Sequence, residues 1–381
     1  MKALNIIAAY KPAVIYGGPT MSVAMLCEEL NRAGLHTEVF TTTANGVEEL
    51  PVSINKPVNV DGVTVTYFKR ITKDHTHFSP ALLKALWKRA KEFDVIHIHA
   101  WWNLVSVLSC AIALAKGVPV ILSPRGTLSN YSFANNNTGK KRIIHALLGK
   151  KLLAKCHIHV TAARESVSIL DVVKPLNITT IPNFVKLPTA NVERPAVADG
   201  PIKLLFFSRI EEKKGLDILL QALNTVTIPF HVTIAGDGDI TYINKLKASV
   251  TDPAITAKIT WAGFYNDDKF ILLSQHDLLV LPSHDENFGN VVIESLSVGT
   301  PVLISYNVGL ANYVKDHNLG WICDTDAASV SDAINNMTDY NTKITEIQKK
   351  APGIIRADFS GSRLQQQYIN FYKDILAHER L

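Results

Sequence analysis

Two glutamates with seven residues between them, Glu286 and Glu294, stand in the segment Leu281 to Ser305, LPSHDENFGNVVIESLSVGTPVLIS. A strand ending at Leu281 and stopped by Pro282 hands over to a polar loop bearing Asp285 and Glu286. Asn287 can cap the helix that follows. Gly289 leaves the helix entry free of a side chain, so backbone N–H groups can approach a ligand closely. Glu294 then falls about one and a half turns into that helix. One carboxylate on a loop and one on a helix can accept from hydroxyls at two ends of one ligand, and a vicinal diol is a natural partner. The plain alternative is a pair of solvated surface glutamates.

A second chemistry-bearing run is Ser208 to Gly215, SRIEEKKG, where a strand ends and a cationic loop opens a helix. Arg209 offers a planar fork and Lys214 a point charge, both suited to a diphosphate; Lys213 competes with Lys214 for the role. Gly17-Gly18 lies between the first strand and the helix starting near Pro19, where backbone N–H groups can approach phosphate at a helix N-terminus. In Asp94 to Trp102, DVIHIHAWW, alternation sends His97 and His99 to one face of a strand. His99 is expected near the strand end, at a rim, and His97 deeper, as a satisfied buried histidine. Trp101 and Trp102 either stack on an acceptor or belong to the core. The next strand ends in SPRGTL, with Arg125 placed to hold an anionic acceptor or to shape the site. Ala235-Gly236-Asp237-Gly238 and Gly263 end two further strands. Asp324-Thr325-Asp326 has a metal-binding spacing, but Asp326 precedes an alanine-rich helical pattern and reads as an N-cap. No His/Cys cluster has metal-ligand spacing, so neither metal nor cofactor is expected.

These residues need strand ends to carry them, and the chain supplies strands at a regular rhythm. Buried apolar runs such as Leu4–Ala8, Val95–Ile98, Val118–Leu122 and Ile158–Thr161 alternate with helical patterns at Met21–Ala33, Pro80–Glu92, Leu104–Lys116 and Lys140–Lys155. Such alternation implies parallel sheets covered by helices. The 381 residues suggest two domains. The proline-punctuated stretch 186–201 separates a domain over 1–185 from one over 202–358. A final helix, 359–381, is expected to pack back on the first. The expected class is α/β, two facing Rossmann-like doubly wound sheets, with ligands in the crevice at the carboxyl ends of the strands.

The net charge of +5 divides unevenly: residues 1–190 hold 22 Lys+Arg against 11 Asp+Glu, and residues 191–381 hold 17 against 23. A basic first half suits an anionic ligand or surface. Nucleic acid is disfavoured, because no aromatic-basic RNA signature appears and the second half is acidic. The four cysteines are scattered among apolar runs, which fits buried thiols in a reducing cytoplasm. No signal peptide is read at the N-terminus, and no apolar run reaches the ~20 residues of a membrane span. The expected location is cytoplasmic, with Lys140–Lys155 forming either a solvated helix face or a patch for an anionic membrane surface.

The spacing Glu286–x7–Glu294, with Phe288-Gly289 after the first glutamate, resembles the signature of retaining glycosyltransferases of the GT-B fold, the group 1 family. The likeness extends over nearly the whole chain. It implies a glycosyltransferase moving a hexose-type sugar from a nucleotide diphosphate sugar to a hydroxyl of a glycan or lipid-linked acceptor, with retention and without metal, in the manner of enzymes building surface polysaccharide or lipopolysaccharide. By the same resemblance Glu286 faces the hexose and Glu294 the ribose. Backbone around Asn287, Phe288 and Gly289 holds sugar hydroxyls. Arg209 and Lys214 bind the pyrophosphate, opposite Gly17 and Gly18. His99 sits beside the donor sugar, and Gly236 and Gly263 flank the base. A sugar-nucleotide epimerase and a non-catalytic sugar-binding scaffold are the rival readings.

Overall fold

A computed structural model describes residues 1–129, 131, 148–189, 192–194, 200–265, 269–337 and 340–378. They form two compact units, Met1–Phe184 with Gly361–Leu381, and Val185–Ser360. The second unit therefore begins where a separate linker, 186–201, was expected. Within that stretch Arg194 is tied to the second unit by hydrogen bonds to Thr300 and to the His276 carbonyl.

The first unit contains β1 Lys2–Ile6, β2 His36–Thr42, the short hairpin β3 Ala44–Asn45 and β4 Glu48–Glu49, β5 Pro57–Val60, β6 Val63–Phe68, β7 Val95–His99, β8 Val120–Ser123, β9 His157–Val160 and β10 Asn177–Thr180. Eight of these strands make one sheet in the order β10-β9-β8-β7-β1-β2-β6-β5, parallel except at the β5–β6 edge. Its helices are α1 Gly18–Arg32, α2 Pro80–Arg89, α3 Leu104–Ala115, α4 Lys150–Leu153 and α5 Ala163–Val172. β1 is continued on one side by β2 and flanked on the other by β7, so chain direction across the sheet reverses at β1/β7. That is the switch point at which open α/β sheets bind ligands.

The second unit contains β11 Ile202–Phe207, β12 Phe230–Ala235, β13 Ile259–Gly263, β14 Leu278–Leu281, β15 Val302–Ser305 and β16 Gly320–Cys323, all parallel in the order β13-β12-β11-β14-β15-β16. Its helices are α6 Leu216–Ala222, α7 Ile240–Ser249, α8 Pro253–Thr256, α9 Lys269–Ser274, α10 Asn290–Ser297, α11 Ala311–Asp316, α12 Ala327–Asn335 and α13 Tyr340–Asp358. The switch point here falls between β11 and β14, so the loops after those strands face each other.

The last helix, α14 Gly361–His378, belongs to the first unit. Leu364, Tyr368, Phe371, Tyr372 and Ile375 recur at helical spacing and bury against Leu26, Leu30 and Phe184. All four cysteines are free and buried. No helix among the described residues is long and apolar enough to cross a membrane. Residues 140–147 of the basic segment lie outside the described residues, and Lys150–Leu153 is a short helix.

Candidate active site

In the second unit two loops are drawn together by a glycine. Gly215 stands in the left-handed region at φ 71° and caps α6. A Cβ there would lie 2.2 Å from the Pro282 carbonyl oxygen, so only glycine permits this approach. The consequence is a short zipper. The His284 N–H donates to the Lys213 carbonyl at 2.9 Å. Lys213 Nζ meets Asp285 at 2.9 Å, and Lys214 Nζ contacts Glu286 directly. The side chains of Lys214 and Glu286 are only 12% and 19% exposed, which makes this pair less screened than a surface one. Glu286 is also clamped through its backbone: its N–H donates to Asn307 and its carbonyl accepts from Gly309.

Glu294, on α10, is ion-paired at 2.7 Å with Lys269, at the start of α9. Lys269 carries no motif in the sequence and is found only through the fold. Arg209 follows β11 but pairs with Glu211 at 2.7 Å and is half exposed. The structure thus brings Lys214 and Glu286 into contact, and places Glu294 and Arg209 in pairs of their own. Asn287 is not the helix cap that it was expected to be. The cap is Gly289, at φ 94°, because the loop needs a left-handed residue where α10 begins. The Phe288 side chain is buried against Phe359. Gly236, at φ 150°, has a packing reason of its own, since a Cβ would sit 1.9 Å from the Ser208 carbonyl; its N–H donates to Gly263 at 2.7 Å. Gly263 itself has open space around its Cβ position.

In the first unit the residues at the switch point form a buried polar network. His97 and His99 share one face of β7, with ring centroids 4.2 Å apart. The Ile181 carbonyl, 2.9 Å from His159 Nε2, can only accept, and this orders every proton. His159 Nε2 donates to Ile181. His159 Nδ1 accepts from Ser123 Oγ, and Ser123 Oγ accepts from His97 Nε2, each at 2.6 Å. His97 Nδ1 then accepts from the Tyr372 hydroxyl of α14, also at 2.6 Å. All three histidines are neutral: burial lowers His159 to about 3 and holds His97 and His99 well below their ordinary value.

His99 corrects an expectation. Its side chain is fully buried, accepting from Arg125 Nε at 3.3 Å and donating from Nε2 to Asn5 at 2.9 Å, and is not open at a rim. The cause is its place in a central strand between β1 and β8. Trp101 is corrected too: it is wholly buried in the apolar cluster of Val105, Leu122 and Leu128 and cannot stack on an acceptor. Trp102 is part-buried, its indole N–H donating to the Thr127 carbonyl at 2.6 Å. Gly17, at φ 64°, precedes α1 as an N-cap with no side-chain cap, and Gly18 opens the helix. Asp326 caps α12 by accepting from the Ser329 N–H. Among the described residues no group of three or more His, Cys, Asp or Glu is placed to hold a metal ion.

Two parallel α/β units with charged loops at their strand ends define a GT-B-fold protein. Residues 189–352 match the family described as Glycosyl transferases group 1, and residues 16–187 match Glycosyltransferase Family 4. The chain belongs to the group 1 glycosyltransferases and is a sugar-transferring enzyme. It is 24% identical to the D-inositol 3-phosphate glycosyltransferase of Acidothermus cellulolyticus, over 96% of this chain and 87% of that one. It has the fold of sucrose-phosphate synthase from Thermosynechococcus elongatus, with a TM-score of 0.74, 20% identity, and coverage of 99% of this chain and 100% of that one. Anabaena HepE, solved in complex with UDP-glucose, matches with a TM-score of 0.73 and 18% identity over 98% and 100% of the two chains.

Proposed function

We propose that the chain moves a hexose-type sugar, with retention, from a nucleoside diphosphate sugar to a hydroxyl of a glycan or lipid-linked acceptor. The observation that carries this reading is the contact of Lys214 with Glu286 across the β11/β14 switch point. A cation and a carboxylate brought together there suit a ligand with an anionic diphosphate at one end and hydroxyls at the other. In this reading Lys214 and Arg209 stabilise the departing diphosphate. Glu286 accepts from the sugar hydroxyls, and Glu294 from the ribose diol. A leaving phosphate oxygen takes the acceptor's proton as the new glycosidic bond forms on the same face. The two cations do the neutralising that a divalent metal does elsewhere, so turnover survives chelation. The complex of HepE with UDP-glucose supports a nucleotide-sugar donor. The unit bearing Arg125 and Trp102 takes the acceptor, in keeping with its basic half of the chain. The cytoplasmic face of a membrane, where surface polysaccharide and lipopolysaccharide precursors are assembled, is the proposed place of work, with the basic Lys140–Lys155 segment towards anionic lipid.

A screen of nucleotide sugars by thermal shift identifies the donor, since a ligand that binds the folded state raises its apparent stability. The anomeric configuration of the product, read by NMR, tests retention; an inverted product ends the assignment. Turnover of donor with no acceptor, giving an epimerised sugar nucleotide, decides for the rival epimerase.

A further inference from the structure

We propose that Arg125 is an oxyanion-binding group of the first unit, and that the acceptor carries a phosphate ester or a carboxylate close to the hydroxyl that receives the sugar. This rests on the sugar-transfer reading above and names the acceptor class within it.

Arg125 follows β8, two residues past its end, beside the β1/β7 switch point. Its guanidinium is held by three neutral acceptors from three separate segments of the chain: Nε donates to His99 Nδ1 at 3.3 Å, and Nη1 to Ser22 Oγ and to Asn183 Oδ1, each at 3.1 Å. His99 is locked as the neutral tautomer by Asn5, so it supplies no negative charge. Among the described residues no carboxylate lies within ion-pair distance of Arg125 and Nη2 has no acceptor. The acid that bears on it, Glu165, spends its oxygens on the N–H groups of Gly126 and Thr161. Arg125 is half-buried, and that burial pushes the guanidinium down from its ordinary value.

Arg70 shows how a structural arginine is treated in the same unit. Its side chain is fully buried, and it is matched by the Glu49 carboxylate at 2.7 Å and the carbonyls of Gly46 and Glu48 at 2.7 and 2.8 Å. A cation taken from water without such a counter-charge costs free energy. Arg125 is also held in the left-handed region at φ 54°, unfavourable for a non-glycine residue. Both burdens, one of the backbone and one of the side chain, fall on a single residue at a ligand-binding end of the sheet, where such strain is expected to serve a function. An oxyanion meeting Nη2 supplies the missing charge. Ser22 links the site to the first turn of α1, because its hydroxyl donates to the Gly18 carbonyl at 2.8 Å.

The test uses the full chain with Arg209→Met and Lys214→Met together as background, so that the second unit's two phosphate-binding cations do not obscure the result. Unfolding temperature is followed against inorganic phosphate and, separately, acetate, at constant ionic strength. The expected result is a saturable stabilisation that Arg125→Gln weakens at least ~10-fold, as loss of a charged hydrogen bond implies. Arg125→Lys keeps the charge, loses the fork, and also weakens it; this second variant decides the matter if the first does not fold. A response to phosphate assigns a phosphate ester, and a response to acetate a carboxylate. An anion response unchanged in the Arg125 variants, or none in the background protein, overturns the proposal. If the wild-type chain turns over no nucleotide sugar at all, it is the sugar-transfer reading that has failed, whatever phosphate does.

Discussion

Replacing Gly215 by alanine tests whether backbone approach alone brings the lysine-bearing loop to the glutamate-bearing loop. The new Cβ would meet the Pro282 carbonyl oxygen at 2.2 Å, more than an ångström inside an ordinary contact, and that oxygen is backbone that cannot swing away. Overpacking of this kind costs roughly 1–3 kcal/mol. The φ of 71° adds about 1 kcal/mol, because an L side chain disfavours the left-handed region. Together they predict a loss of about 2–4 kcal/mol, or some 4–16 °C in the unfolding temperature of a unit of this size. Gly18→Ala, where the added Cβ meets nothing within 4 Å, is the control and shifts it little. Because the strain separates Lys214 from Glu286, Gly215→Ala also weakens nucleotide-sugar binding even well below the unfolding temperature. Calorimetry and a titration with the donor read both effects. A variant with wild-type stability and donor affinity refutes the argument.

Lys214→Met is expected to weaken donor binding by roughly 1.5–3 kcal/mol, a charged hydrogen bond, which titration reads as about a 10- to 150-fold rise in Kd. Glu286→Ala cuts turnover strongly while leaving the circular dichroism spectrum and the unfolding cooperativity unchanged. Tyr372→Phe leaves His97 Nδ1 without a donor and costs about 1–3 kcal/mol, seen as a lower urea midpoint at unchanged slope. The buried histidines make stability depend on acid. Their folded-state values are depressed, so the unfolded chain binds the extra protons; stability is complete above pH ~6.5 and falls as pH drops towards about 3, by up to ~1.4 kcal/mol per unit for each histidine. Denaturant midpoints measured from pH 8 to pH 4 check this; a flat profile contradicts the neutral network.

Much of the architecture could be read from periodicity. The 3.6-residue spacing of Leu364, Tyr368, Phe371, Tyr372 and Ile375 marks α14 as a one-faced helix whoever its partner is. Strand ends were legible wherever an apolar run met Pro or Gly, as at Leu281-Pro282. The candidate residues placed on those ends, Glu286, Lys214 and Arg125, needed only local pattern. Trp101 and His99 were not legible, because one residue's burial depends on what the rest of the sheet lays over it. Two tryptophans in a row look alike in sequence, yet the strand-end turn sends Trp101 inward and leaves Trp102 part-buried.

The order of residue types along the chain determined the alternation of strands and helices, and which side chains stand where strands end, since both depend on neighbours within a turn or two. Partnership was decided only by the fold. Lys269 finds Glu294 across 25 residues, and Arg125 finds Ser22 across 103 and Asn183 across 58. No local spacing records such distances; the sheet order at the two switch points does, by folding separate strand ends onto one another.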